Sequence, residues 1–222
     1  MHTPWTHLSR SAAAALTTFI VSVLLLLATT TSAHAGPTYT PWGGPSTKFV
    51  GTGIGFEDIE VAQSVDCSTF DLSGPVINPG VQRSILADFV TLSAVASSGC
   101  ANPVLGACVV SQVGTWYLAF DGNAAGGTWP VKVRGMKVSV SCAQCAFTAE
   151  GTLKATFTPG TARLTPVVGT SGSGLVISSG AGAPTGLGCV LLDLVAGDRI
   201  AVKGHWTNVP PSGSVALTIT EP

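Results

Sequence analysis

From residue 48 to residue 220 the chain keeps returning to one pattern: apolar and polar residues alternate over a short run, and a turn then breaks it. Met136, Val138, Val140 and Cys142 alternate with Lys137, Ser139 and Ser141. Phe147, Ala149, Gly151, Leu153, Ala155 and Phe157 alternate with Thr148, Glu150, Thr152, Lys154 and Thr156, and Val215, Leu217 and Ile219 repeat the pattern near the C-terminus. A period of two sends successive side chains to opposite faces of a strand, so each run buries one face and wets the other. Strands are expected at Lys48–Gly53, Ile59–Cys67, Ile85–Ala96, Cys108–Gln112, Thr115–Phe120, Thr128–Val133, Met136–Cys142, Ala146–Phe157, Arg163–Val168, Gly174–Ser178, Cys189–Leu194, Arg199–Trp206 and Ser214–Thr220. Asp121-Gly122-Asn123, Pro159-Gly160 and Ala196-Gly197-Asp198 are turn signals. Only Val81–Leu92 carries a weak helical pattern. The predicted fold is all-β: an antiparallel β-sandwich, either one large sandwich or two small ones stacked end to end.

The first 35 residues stand apart. A polar start containing His2, His7 and Arg10 precedes an apolar run, and Ala33-His34-Ala35 before Gly36 has the small-x-small form of a cleavage site. The strongly apolar part, Leu16–Ala28, falls short of the ~20 residues that span a bilayer. The reading is a removable signal peptide over 1–35, a Pro/Gly-rich lead-in over 36–47, expected to be extended and mobile, and a secreted all-β domain over 48–222. The expected location is extracellular, with no membrane contact after cleavage. The export segment inflates the mean hydropathy of +0.47. The whole chain is poor in charge: 9% of residues are charged, far below the ~25% of ordinary domains. That excludes coiled coils and charged disordered tails. Lys and Arg number 10 against 11 Asp and Glu, so no basic excess points to nucleic acid. Thr-rich outer faces supply solubility and β-propensity together.

All six cysteines, Cys67, Cys100, Cys108, Cys142, Cys145 and Cys189, follow the export segment. An even number in an exported chain reads as a disulfide framework, with fifteen pairings open. Cys142-Ala143-Gln144-Cys145 has redox-pair spacing, but a period-2 strand follows it where a thioredoxin-like site needs a helix. A zinc ribbon would need a second such pair or a His pair, and neither exists.

Chemistry-bearing patterns are scarce. After cleavage His205 is the one histidine left to serve as a base, and strand parity places it beside Lys203 on a polar face. No nucleophile elbow, phosphate loop or zinc-protease motif is present. Gly51, Gly53 and Gly55 form a spaced run with no helix behind it to hold a phosphate, which makes it a strand or loop feature. Glu57, Asp58 and Glu60 cluster, but adjacent strand residues face opposite ways, so a solvated edge is expected in place of a two-carboxylate hydrolase site. Asp121 reads as a hairpin turn before it reads as a Ca²⁺ ligand. Trp116, Trp129 and Trp206 share parity with core residues, which weakens a sugar-stacking face. Tyr39 and Trp42, in the lead-in, are the candidate contact residues. No catalytic residue, cofactor or metal site is assigned.

Val65-Asp66-Cys67, then Ser98-Gly99-Cys100, then Cys145 heading a Thr-rich strand, then Gly188-Cys189-Val190-Leu191-Leu192 leading into Ala196-Gly197-Asp198, resembles a group of secreted actinobacterial β-proteins of unknown function. The match runs from about Ile59 to the C-terminus. A more distant likeness is to exported proteins described as activators of alkane oxidation. The resemblance implies no catalytic residues. It does imply bridges Cys67–Cys100 and Cys145–Cys189, which leaves Cys108–Cys142 as the third. The function expected is a structural or adhesive, non-enzymatic protein of the cell envelope or extracellular space, with a cell-wall or other extracellular surface as partner. The alternatives are a carbohydrate- or small-ligand-binding module and a carboxylate-dependent secreted hydrolase. The Cys100–Cys108 loop would also suit a proteinase inhibitor.

Overall fold

The computed structural model describes residues 38–169 and 172–221; the export segment lies outside them. The strands are β1 (Thr38–Gly44), β2 (Ser46–Asp58), β3 (Gln63–Pro75), β4 (Arg83–Ser84), β5 (Asp88–Leu92), β6 (Ala94–Asn102), β7 (Gly106–Gln112), β8 (Trp116–Phe120), β9 (Trp129–Cys142), β10 (Cys145–Thr158), β11 (Arg163–Pro166), β12 (Leu175–Ile177), β13 (Arg199–Asn208) and β14 (Val215–Thr220). Among the described residues one short α-helix, α1 (Leu187–Leu191), and two single 3-10 turns, Pro159–Thr161 and Gly180–Gly182, interrupt them.

The fold is all-β and antiparallel, and one sheet closes on itself. From β10 the ladder runs through β12, β13, β2, β3, β6, β7 and β9, and β9 pairs back onto β10 from Cys142↔Cys145 to Trp129↔Phe157. Beside β7, the other half of the β9 edge takes β8, which pairs with β5. Closure removes the open edges through which sheets aggregate. The inward faces form a single hydrophobic core, so the structure is one closed sandwich. A separate three-stranded sheet, β14-β1-β4, lies near one end of it.

Glycine-bearing bulges let long strands keep one face inward. In β2, Thr47 and Phe49 are buried, and beyond Gly53 so are Ile54, Phe56 and Asp58: the inward parity flips. The register with β13 shifts between Lys203 and His205, opposite Gly53. Gly53 and Gly204 both have positive φ, and a Cβ on Gly204 would sit 2.3 Å from the Gly53 carbonyl oxygen. The spaced glycines of β2 are therefore a strand device. β9 repeats it at Gly135, which is why the run expected as two strands is one.

Three expectations need correction. The lead-in is no loose arm: Thr38–Gly44 is strand β1, paired with β14 and β4. Val81–Leu92 holds β4, a turn and β5, with no helix, because both segments pair with neighbouring strands. The expected strand Cys189–Leu194 begins as α1. A continuous apolar run is ambiguous between the two states, and here Cys189 is fastened by its bridge beside the β9–β10 turn.

Candidate functional site

The two ends of the closed sandwich differ. The end bearing β1 is filled by aromatic rings. Tyr39 packs edge-on to Phe120 at 4.5 Å between centroids, Phe89 stacks on Phe120 at 4.4 Å, and Trp129 lies 4.7 Å from Phe120. Tyr39, one of the two candidate contact residues, is fully buried, which corrects that expectation. Its hydroxyl donates to the Ala87 carbonyl at 2.6 Å, and burial pushes its pKa up to about 12, partly offset by Arg83. Trp42, the other candidate, alternates outward on the same strand and is 49% exposed. Its Nε1 donates to Thr220 Oγ1 at 3.1 Å, and its ring covers Gly80. Trp116, Trp129 and Trp206 are core residues, so they present no row of rings for stacking on a sugar.

The opposite end collects the strand connections. Asp58 Oδ1 accepts from the backbone N–H of Glu60 at 2.9 Å and of Val61, shaping the β2–β3 turn. Asn102 Oδ1 accepts from the N–H groups of Val104 and Leu105, both at 2.9 Å, while its Nδ2 donates to the Ser64 carbonyl, tying the β6–β7 loop to β3. Ala143 and Gln144 form the β9–β10 turn, Gln144 at φ 56°. The Gly188 N–H donates to the Gln144 carbonyl at 2.8 Å, holding α1 beside that turn. Val195 N–H donates to Asp198 Oδ2 at 2.6 Å in the following loop.

All six cysteines meet at this end, joined as Cys67–Cys100, Cys108–Cys142 and Cys145–Cys189, with no free thiol among the described residues. These are the bridges the resemblance implies, and they place the chain in an oxidising, disulfide-forming compartment. No helix among the described residues is long and apolar enough to cross a membrane.

Beneath the connections lies a narrow apolar cleft lined by Phe56, Val65, Val140, Phe147, Ile177 and Ile200, among others. Its volume is about 450 Å³ with the open mouth included, and its enclosed part is only water-sized. Asp58 lines it, 2% exposed, with Oδ2 lacking a hydrogen-bond donor. Burial raises the Asp58 pKa to about 6; the Glu60 and Val61 N–H groups oppose the shift, and the neighbouring Asp198 carboxyl adds to it. A second carboxyl close by adds like charge, which disfavours ionisation of Asp58 beyond the effect of burial. Asp198, read in the sequence only as part of a turn, is thus the partner that reading missed.

The other carboxylates of the acidic cluster are paired. Glu57 Oε2 lies 2.6 Å from Lys203 Nζ, and Glu60 Oε1 lies 2.5 Å from Arg199 Nε. The Arg199 hydrogen bonds hold Glu60 below the usual carboxylate range. Asp121 pairs with Lys132 at 2.5 Å, and His205 stands opposite Thr52. Among the described residues no three His, Cys, Asp or Glu side chains converge as metal ligands.

What remains conspicuous is the outer surface of this end. On α1, Leu187 and Val190 are each 75% exposed and Leu191 71%, while Cys189 is buried beneath them. Val195 in the loop after α1 and Val104 in the β6–β7 loop are exposed as well. No protein-family model, curated protein or solved structure matches the chain.

Proposed function

We propose that the protein is an exported, non-enzymatic β-protein with a structural or adhesive role, which holds an apolar, uncharged surface of the cell envelope or its surroundings through the disulfide-bearing end. The observation carrying this reading is the exposure of Leu187, Val190 and Leu191 on one short helix. Side chains of this size are normally buried, and a cluster left in water marks a contact surface. α1 has five residues and could not persist alone. The Cys145–Cys189 bridge and the Gln144 carbonyl hold it in place, so the apolar side chains sit on a fixed support. No charged residue interrupts Leu187–Leu191, and the first one beyond it, exposed Asp193, stands at the rim, which favours an uncharged partner for the centre of the patch. Removal of the first 35 residues on export belongs to the same proposal and is supported by the three bridges, as is kinship with the secreted actinobacterial proteins that the cysteine order resembles.

The test is adsorption of purified protein to alkyl-coated silica, to bare silica and to isolated cell-wall polysaccharide at low and high salt. Retention on the alkyl surface that survives high salt, and falls about tenfold for the double variant Leu187→Ser/Leu191→Ser, is the expected outcome. Equal retention of wild type and variant would overturn the reading.

A further inference from the structure

Five of the six cysteines stand in one row. The sheet register pairs Cys67 with Cys100, Cys100 with Cys108, Cys108 with Cys142, and Cys142 with Cys145. Residues directly opposite in neighbouring antiparallel strands point to the same face, so five sulfur atoms line up across β3, β6, β7, β9 and β10. The sixth, Cys189 on α1, is joined to the end of the row.

Along such a row, close non-hydrogen-bonded pairs alternate with wider hydrogen-bonded ones. The native bridges occupy the close pairs, with Cα atoms 3.8 Å apart for Cys67–Cys100 and 4.1 Å apart for Cys108–Cys142. Cys100–Cys108 and Cys142–Cys145 are then the wider pairs, at about 5.5 Å, a separation disulfides also span. Exposure is uneven. Cys108 and Cys142 are partly open to solvent, whereas Cys67, Cys100, Cys145 and Cys189 are buried. An external thiol therefore meets the central bridge first.

We propose that Cys108–Cys142 is a redox-active site, attacked by a dithiol reductant, from which thiol–disulfide exchange passes outward along the row to free Cys67 and Cys189. In the first step the dithiol becomes a cyclic disulfide and Cys108 and Cys142 become thiols. The Cys108 thiolate then attacks Cys100 Sγ, a Cys100–Cys108 bond forms, the Cys67–Cys100 bond breaks, and Cys67 leaves as thiolate. On the other side the Cys142 thiolate attacks Cys145 Sγ, a Cys142–Cys145 bond forms, and Cys189 leaves as thiolate. Neither exchange consumes electrons, because each forms one disulfide and breaks one. The relay moves free thiols from the middle of the row to its two ends, and at one end it unfastens α1 from β10. It stands on the cysteine geometry alone, whatever surface α1 contacts.

Oxidised full-length protein in native buffer is treated with one equivalent of dithiothreitol, quenched with acid, alkylated and mapped as non-reduced peptides. The expected first doubly alkylated species carries its label on Cys67 and Cys189 and contains Cys100–Cys108 and Cys142–Cys145 linkages. Label on one inner and one outer cysteine, with a single new neighbour linkage, is the same relay caught halfway and also supports it. Label confined to Cys108 and Cys142 with both outer bridges native would overturn the proposal. So would first opening of either outer bridge with Cys108–Cys142 intact. The variant Cys67→Ser/Cys100→Ser removes one arm, and its label should then fall on Cys108 and Cys189; label on Cys108 and Cys142 in that variant counts against the relay.

Discussion

Asp58 shows how much one buried side chain can be asked to do. Its Oδ1 shapes the β2–β3 turn, while its buried Oδ2 has no hydrogen-bond donor and Asp198 adds a like charge nearby. A folded-state pKa raised to about 6, from about 3.8, means the native state binds the proton more tightly than the unfolded chain does. The stabilisation from the proton on Asp58 is therefore fully present below about pH 3.8 and is lost as pH rises through about 6. Glu60 beside it is paired with Arg199 and held below the usual carboxylate range, so it stays ionised over that interval. Asp58→Asn keeps an oxygen for the turn and buries no charge at any pH. Thermal melts should show wild-type Tm falling between pH 4.5 and pH 7.5, and a flatter profile for the variant, with the variant the more stable at pH 7.5. A wild-type Tm that rises over that interval would contradict the assignment. Nothing in the sequence marks Asp58 apart from Glu57 and Glu60. Which of them turns inward depends on the bulge at Gly53, and the bulge depends on how β2 meets β13.

At the scale of elements, the strands that alternate large apolar and polar residues, such as β10 and β14, are legible in the sequence, because their pattern follows directly from burying one face. Those that are not legible owe their state to pairing. β6 reads Ala94-Val95-Ala96-Ser97-Ser98-Gly99-Cys100-Ala101-Asn102, almost without large side chains, and exists because β3 and β7 bond its two edges. β1 looks like a linker, yet Tyr39 enters the aromatic cluster and β14 covers its edge. α1 is the clearest case: a five-residue helix with three exposed apolar residues, retained by one bridge and a few backbone bonds. The Cys145–Cys189 separation of 44 residues corresponds to about 4 kcal/mol in the chain-entropy account of disulfides. The double variant Cys145→Ser/Cys189→Ser should lose stability on that order. Hydrogen exchange should show protection of the Leu192 and Leu194 N–H groups collapsing while the β9–β10 ladder stays protected. Unchanged protection at α1 would show that packing, and not the bridge, retains it.

The whole molecule divides its labour between its ends. Around Phe120 the rings of Tyr39, Phe89 and Trp129 close one end with apolar packing. At the other end stability comes from cross-links and capped turns, and the three apolar side chains of α1 are the most exposed of the large apolar ones among the described residues. A protein that needed only to persist would have little reason to keep Leu187 and Leu191 exposed, so stability and surface contact should separate cleanly by mutation. Phe120→Ala removes the ring at the centre of the aromatic cluster and should cost about 3–5 kcal/mol, leaving a cavity that three neighbours cannot all fill. The pair Leu187→Ser/Leu191→Ser exchanges solvent-facing side chains and should stay within about 0.5–1 kcal/mol of wild type in denaturant melts. Alkyl-surface retention should show the reverse order: preserved in Phe120→Ala below its melting temperature and largely lost in the serine variant. If the serine variant unfolded as readily as Phe120→Ala, the exposed leucines would be part of the core after all, and the division between the two ends would fail.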